Sequence, residues 1–293
     1  MQKPLIIVTG KNGQLGFELM QLQQKFSNQF DFLFTGRNDL DLLNENEIAG
    51  FIEKNRPSYF INAAAYTLVD KAETESDIAF AINAIAPAAI AIACKKNHCQ
   101  LIHISTDYVF DGAKKTPYHQ NDLINPVNLY GASKAKGEGL VLQNNADAII
   151  IRTSWVYSSH GKNFVKTMLK LMRERETINV VADQIGCPTY AADLAHAILQ
   201  IVLKLNNNKD LQHSNLYHYS NTGNISWFQF AQAIQQIAHL NCTVKPIESA
   251  AYPTPAKRSK YSVMDTSNIT IDFDVQIKEW EESLKTAIGL LDN

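Results

Sequence analysis

Along the first half of the chain, apolar residues gather into short unbroken runs. These are LIIV at Leu5, DFLFT at Asp31, YFIN at Tyr59, LIHIS at Leu101 and AIIIR at Ala148. Continuous runs of this length predict strands covered on both faces. Between them the spacing becomes helical. Leu15, Leu19, Leu22 and Phe26 fall four, three and four residues apart, along one helix face. In NENEIAGFIEKNRP, Asn44 is a candidate cap, Ile48, Phe51 and Ile52 form the stripe, and Pro57 is a stop. Strand–helix alternation predicts an α/β fold, a doubly wound parallel sheet of the Rossmann type.

Beyond Arg152 the rhythm loosens. NFVKTMLKLMRERE and ADLAHAILQIVLKL predict helices, with INVVADQIGCPTY as a strand and loop between them. From Leu216 follow a Tyr/His strand, the helix SWFQFAQAIQQIAH, a Pro-rich loop YPTPAKRSKYS and a last helix near Trp280. Residues 1–153 therefore read as a dinucleotide-binding domain completed by part of 176–205. Residues 154–293 read mainly as a smaller substrate-binding lobe over the carboxyl edge of the sheet, where ligands of open α/β sheets sit.

The most apolar run, Ala79–Cys94, is interrupted by Asn83 and Pro87. It is shorter than the roughly 20 residues of a membrane span, so a buried Ala-rich helix is expected. Strand and glycine turn begin almost at once, leaving no signal-like segment, and a soluble, cytoplasmic protein is the expectation. At 293 residues with a net charge of −2, the chain has no general attraction for nucleic acid or an anionic membrane. Cys94, Cys99, Cys187 and Cys242 lack metal-type pairing and read as reduced structural thiols.

The first strand runs into GKNGQLG, with Gly10, Gly13 and Gly16 three apart. Such a turn lets a phosphate approach bare backbone at a helix start, or it is simply a tight β–α turn. Further on, NLYGASKAKGE places Tyr130 and Lys134 on one helix face. It is the single Tyr-x-x-x-Lys pair among 11 tyrosines. An ammonium beside a phenol favours phenolate and lowers the Tyr pKa from about 10, giving a proton donor for neutral pH. The preceding strand ends in Ser105, Thr106, Asp107 and Tyr108, where a parallel sheet places its ligand contacts. A Thr106 hydroxyl there either orients a substrate carbonyl or caps a helix.

Taken together, Gly10–Gly16, NAAAYTLVDKAE (Asn62–Glu73), STDYVFDG (Ser105–Gly112) and YGASKAKGE (Tyr130–Glu138) resemble the extended short-chain dehydrogenase/reductases. RTSWVYS, GKNFVKTML, DQIGCPTY and KYSVMDTS narrow the resemblance to the dTDP-4-dehydrorhamnose reductase family, in order along nearly the whole chain. The resemblance implies hydride transfer from NADPH, with NADH also admitted, to C4 of dTDP-4-dehydro-L-rhamnose. Tyr130 would give the proton, Lys134 would hold the nicotinamide ribose, and Thr106 would orient the ketone. Gly10, Asn12, Gly13, Gln14, Leu15 and Gly16 would surround the pyrophosphate. Ala63, Ala64, Ala65 and Tyr66 would line the ribose–nicotinamide path, with Asp41 and Leu42 towards the adenosine.

On the sugar side, the resemblance brings in Asp107, Tyr108 and Trp155, the last packed on the deoxysugar unless it is a structural Trp. Asn163, beside Lys162 at a helix start, joins them, as does Arg258, whose planar fork suits a diphosphate. Where the family has a proline after this arginine, the chain has Ser259. A Mg²⁺ ion and a homodimer are associated with the family, but after Pro188 Asp193 is the one acid nearby, and no metal ligand is assigned. His103, on a strand, reads as a core residue. Two alternatives stay open: another NDP-sugar reductase or epimerase, and a non-catalytic nucleotide-binding regulatory subunit of the same fold. After the second strand comes Arg37, with Asp39 and Asp41 behind it, where an adenosine ribose would rest. Arg37 either reads a 2′-phosphate or pairs with one of these acids.

Overall fold

The structure, a computed structural model, describes residues 3–291; the outer bounds of the two expected domains, 1 and 293, lie outside the described residues. The chain begins β1 (Leu5–Thr9), α1 (Gln14–Phe26), β2 (Asp31–Thr35), α2 (Glu45–Asn55) and β3 (Tyr59–Asn62). Then come α3 (Ser76–Phe80), α4 (Ala86–Lys96), β4 (Gln100–Thr106), α5 (Leu129–Asn144) and β5 (Ile149–Thr153). The middle of the chain holds β6 (Val156–Tyr157), α6 (Phe164–Glu174), β7 (Thr177–Val181), β8 (Ile185–Gly186), β9 (Thr189–Tyr190) and α7 (Ala191–Asn207). The rest is β10 (Leu216–Tyr219), β11 (Ile225–Ser226), α8 (Trp227–Ile237), β12 (Thr243–Ile247), α9 (Ser267–Phe273) and α10 (Trp280–Gly289).

Six strands pair in the order β10-β5-β4-β3-β1-β2, all parallel. Side chains alternate between the two faces of a strand, and the two helix layers divide them accordingly. Ile6, Val8, Ile61, Ile102, Ile149 and Ile151 pack towards α1, α7 and α9. Ile7, Phe60, Leu101 and Ile150 pack towards α2, α4 and α5. Both faces are covered by apolar side chains of these helices, which is why these strands read as unbroken apolar runs. The order in which successive strands are added reverses between β1 and β3, whose neighbours lead outward to β2 on one side and to β4 on the other. Their carboxyl ends open the crevice in which such sheets bind ligands.

A second core lies over that edge. Val165, Met168 and Leu169 of α6, Phe230 and Ile234 of α8 and Leu284 and Ile288 of α10 enclose Tyr157 and Tyr190. The Tyr/His strand, expected in this lobe, is instead β10 and joins the main sheet, with Leu216 opposite Ile150. Its Tyr217 and Tyr219 fill the face shared with α7 and α9, a partnership that alternation along the strand does not encode.

Pro87 also behaves differently from expectation. The helix is continuous from Ser76 to Lys96, 21 residues, and is long and apolar enough to cross a membrane by length and composition alone. It passes through a π turn at Ala81–Ile85, and Pro87 follows at the first turn of α4. The wider turn places the missing proline N–H where the bonding pattern already shifts. Over half of the stretch is buried, against α5 and α2. The π turn also aims Asn83 inward, where its amide joins both backbone groups of Tyr66 and the Ser133 hydroxyl.

Helix α5 comes close enough here that a Cβ on Gly137 would lie 2.0 Å from the Asn83 carbonyl oxygen. Gly137→Ala is expected to cost about 1–3 kcal/mol by forcing the helices apart. Urea unfolding checks it; an unchanged midpoint would contradict the close approach.

Candidate active site

Gly10 holds a left-handed φ of 77°, and a Cβ there would sit 2.9 Å from the backbone of Ala63 and Ala64. A Cβ on Gly16 would lie 2.2 Å from the Gly10 carbonyl oxygen. The turn is thus pressed against the end of β3, and no larger residue fits at either position. No side chain caps α1 at Gly13, so the first N–H groups of that helix stay open to an anion. These features fit a dinucleotide pyrophosphate lying against Gly10–Gly16.

The lobe reaches over this cradle through residues 158–163. Ser158 donates to buried Glu18 at 2.6 Å, the His160 ring stacks on Phe17 at 4.3 Å, and its Nε2 lies 3.1 Å from the Asn12 carbonyl. Gln14 donates to Val156 O at 3.3 Å. Asn163 caps α6 by accepting from Lys166 N, and its Nδ2 donates to Gln14 Oε1 at 2.9 Å and Ser158 O at 2.7 Å. Its polar atoms are therefore engaged with the glycine turn and its own loop. The His160 contact was not legible in sequence, because it joins positions 148 residues apart.

Thr106, Tyr130 and Lys134 meet at the carboxyl end of β4. Asn128 caps α5 through Gly131 N at 2.8 Å, so the helix starts immediately before Tyr130. A Cβ on Gly131 would lie 2.2 Å from the Tyr108 carbonyl oxygen, a closeness that seats Tyr130 against the strand end. The Tyr130 and Tyr108 rings meet edge to face at 5.5 Å. Thr106 takes the capping part expected of it, accepting from Tyr108 N at 3.2 Å, and it donates to Asp107 at 3.0 Å beside the Tyr130 phenol.

The expected lowering of the Tyr130 pKa is not what this site gives. Burial holds the phenol above its ordinary value, opposed by the Thr106 hydroxyl and aided by Asp107 and Tyr108. The reason is local: Lys134 Nζ donates to the Ile104 carbonyl at 2.7 Å, and burial lowers its own pKa to about 8 against the pull of Glu138. Tyr130 is thus held as a phenol. Asp107, also buried, is raised to about 6, offset by bonds from Ser262 and Thr106.

Sequence reasoning overlooked what stands behind Lys134. Glu138, one turn on, takes a two-point ion pair from Arg152 of β5, at 2.9 and 2.7 Å, with both side chains buried. An arginine inside the run AIIIR was the available signal, since a buried guanidinium needs a carboxylate. His103, buried in the core as expected, also has its Nε2 3.4 Å from Lys134 Nζ, a contact the sequence did not announce.

Trp155 sits at the lobe entrance with a left-handed φ of 47°. One face of its indole is stacked on Trp227, at 3.5 Å. Gly186 approaches so closely that a Cβ would lie 2.6 Å from the ring. Structural packing therefore already engages it. Arg258 pairs with Asp70 at 2.9 Å and lies over the Tyr108 ring at 5.9 Å, which brings the Pro-rich loop to the neighbour of Tyr130. Tyr66 donates to Glu75 at 2.5 Å and packs in the same small cluster as Tyr130.

At the adenosine end, Asp39 pairs with Lys11 at 2.6 Å instead of Arg37. Asp41 is used in its own turn, accepting from Leu43 N at 2.9 Å, while Leu42 packs beneath α2. Arg37 is exposed and has no ion-pair partner among the described residues. All four cysteines are buried free thiols. Among the described residues, no group of three or more His, Cys, Asp or Glu side chains is placed to hold a metal ion.

Comparison with known proteins matches this arrangement along its length. A family model described as the RmlD substrate binding domain matches residues 3–292. A dTDP-4-dehydrorhamnose reductase of Aggregatibacter actinomycetemcomitans is 38% identical over 286 residues, 96% of this chain and 97% of that protein. The crystal structure of a Clostridium acetobutylicum dTDP-4-dehydrorhamnose reductase superposes with a TM-score of 0.93 at 37% identity, covering 99% of this chain and 100% of that one. The Bacillus anthracis enzyme in complex with NADP gives 0.90 at 39% identity, with the same coverage. With cradle, tyrosine and lysine in place and similarity running end to end, this chain belongs to the dTDP-4-dehydrorhamnose reductase family.

Proposed function

We propose that the chain reduces the C4 ketone of dTDP-4-dehydro-L-rhamnose to dTDP-L-rhamnose, with NADPH preferred over NADH. The observation that carries the reading is the meeting of Thr106, Tyr130 and Lys134 beside the glycine cradle, in a chain 38% identical to a named reductase. When bound, the nicotinamide supplies hydride to C4. Thr106 and Tyr130 orient the ketone oxygen, and Tyr130, kept protonated by burial, passes its phenolic proton to the alkoxide as it forms. Lys134 remains cationic below about pH 8 and holds the ribose side of the cofactor site. Arg258, with Tyr108 beneath it, meets the substrate diphosphate. Product analysis by NMR after incubation with the 4-keto sugar and NADPH tests the reading; a different C4 epimer, or no reduction, overturns it.

The cofactor preference rests on Arg37 being unpaired and on Lys11 lying nearby across Asp39. A guanidinium left without a carboxylate partner at this position favours a 2′-phosphate. Arg37→Ala is expected to lower kcat/KM for NADPH more than for NADH, and an unchanged ratio would remove Arg37 from that contact.

A further inference from the structure

Three buried polar residues stand side by side across the sheet. Thr9 of β1 is the register partner of Asn62 of β3, and Asn62 is the register partner of His103 of β4. Thr9 Oγ1 donates to Asn62 Oδ1 at 2.7 Å, Asn62 Nδ2 lies 3.1 Å from His103 Nδ1, and His103 Nε2 lies 3.4 Å from Lys134 Nζ. All four side chains are at most 2% exposed. Parallel strands of a dry sheet normally bury apolar residues here, so an unbroken polar row ending on a working lysine calls for an explanation beyond packing.

We propose that His103 is a positioning residue for Lys134, and that the Thr9–Asn62–His103 row couples the charge on Lys134 to which imidazole nitrogen carries the proton. The proposal rests on the reading of Lys134 as a cofactor-holding cation. Burial and the lysine charge hold His103 neutral, so one ring nitrogen donates and the other accepts. With the Asn62 NH₂ turned to Nδ1, the ring proton sits on Nε2, facing Lys134. That arrangement suits a neutral amine; an ammonium turns away to the Ile104 carbonyl, 2.7 Å from Nζ. Reversing the Asn62 amide puts its oxygen against an Nδ1–H, and the free Nε2 lone pair then accepts from the ammonium. Both settings use the same heavy-atom positions. The row thus has one arrangement for each charge state of Lys134.

Other groups around Lys134 do not supply this acceptor. On α5, Glu138 is bound to Arg152, and Tyr130 lies towards Thr106 and Asp107. From β10, His218 faces Arg152 at 3.4 Å. His103 is the neighbour on the strand beneath.

The test is ring-nitrogen NMR of histidine-labelled full-length protein, with the His103 signals assigned by their loss in His103→Gln or their change in Lys134→Ala. We expect the proton on Nδ1 at about pH 6 and on Nε2 at about pH 10, exchanging near the Lys134 titration, with no exchange in Lys134→Ala. A tautomer that stays the same across that range overturns the proposal. Calorimetric cofactor titration gives a second reading. The pH at which affinity falls on the alkaline side should move down by about one unit in His103→Leu and stay in place in His103→Gln. An unmoved limb in a folded His103→Leu overturns the proposal while leaving the function intact. Unchanged cofactor affinity in Lys134→Ala, by contrast, removes Lys134 from the cofactor and overturns the reading on which the proposal rests.

Discussion

Tyr130→Phe is expected to bind cofactor and remain folded while losing roughly 10²- to 10⁴-fold in turnover, the usual worth of a placed general acid. Only the phenolic oxygen is removed, so the edge-to-face contact with Tyr108 and the seat made by Gly131 survive. The loss should appear in kcat and kcat/KM alike, because proton donation is made in the transition state and not on binding. Since burial raises the Tyr130 pKa, the wild-type donor stays protonated through neutral pH, and its rate should show no acid-to-neutral limb from this group. Steady-state kinetics with the 4-keto sugar check this. A variant that keeps more than about a tenth of wild-type turnover contradicts the assignment of the proton to Tyr130.

The largest stability effect is expected at Arg152→Met. The substitution strands the Glu138 carboxylate, 3% exposed, without its two-point partner. Breaking one side of a buried ion pair costs about 3–5 kcal/mol, because the remaining charge is neither solvated nor paired. Glu138→Gln combined with Arg152→Met should recover much of that loss, since the neutral amide tolerates burial better. Urea unfolding of wild type and the two variants measures both comparisons. A single variant within about 1 kcal/mol of wild type, or a double variant no better than the single, would mean the pair is solvated or replaced.

Runs such as LIIV and YFIN determined the parallel sheet by themselves, because strands buried on both faces tolerate few polar residues and cannot alternate. The turn at Gly10 and Gly16 was also legible from glycines spaced after a strand, and the structure shows that each position excludes a Cβ. Tyr130, Lys134 and Thr106 stood out because helical spacing and a strand end carry them without reference to distant chain. What the tertiary structure alone decided depends on packing between remote segments. Strand β10 looked like part of the lobe until Tyr217 and Tyr219 met α7 and α9. The 158–163 loop brings Asn163 onto Gln14 from 149 positions away, which no local pattern announces. The charge state around Tyr130 went against expectation for the same reason. Sequence gives which groups share a helix face, but desolvation and the direction in which Lys134 donates are set by everything packed around them. Single positions in Thr9, Asn62 and His103 carry no signal; only strand register aligns them into one row, and register is fixed when the whole sheet closes.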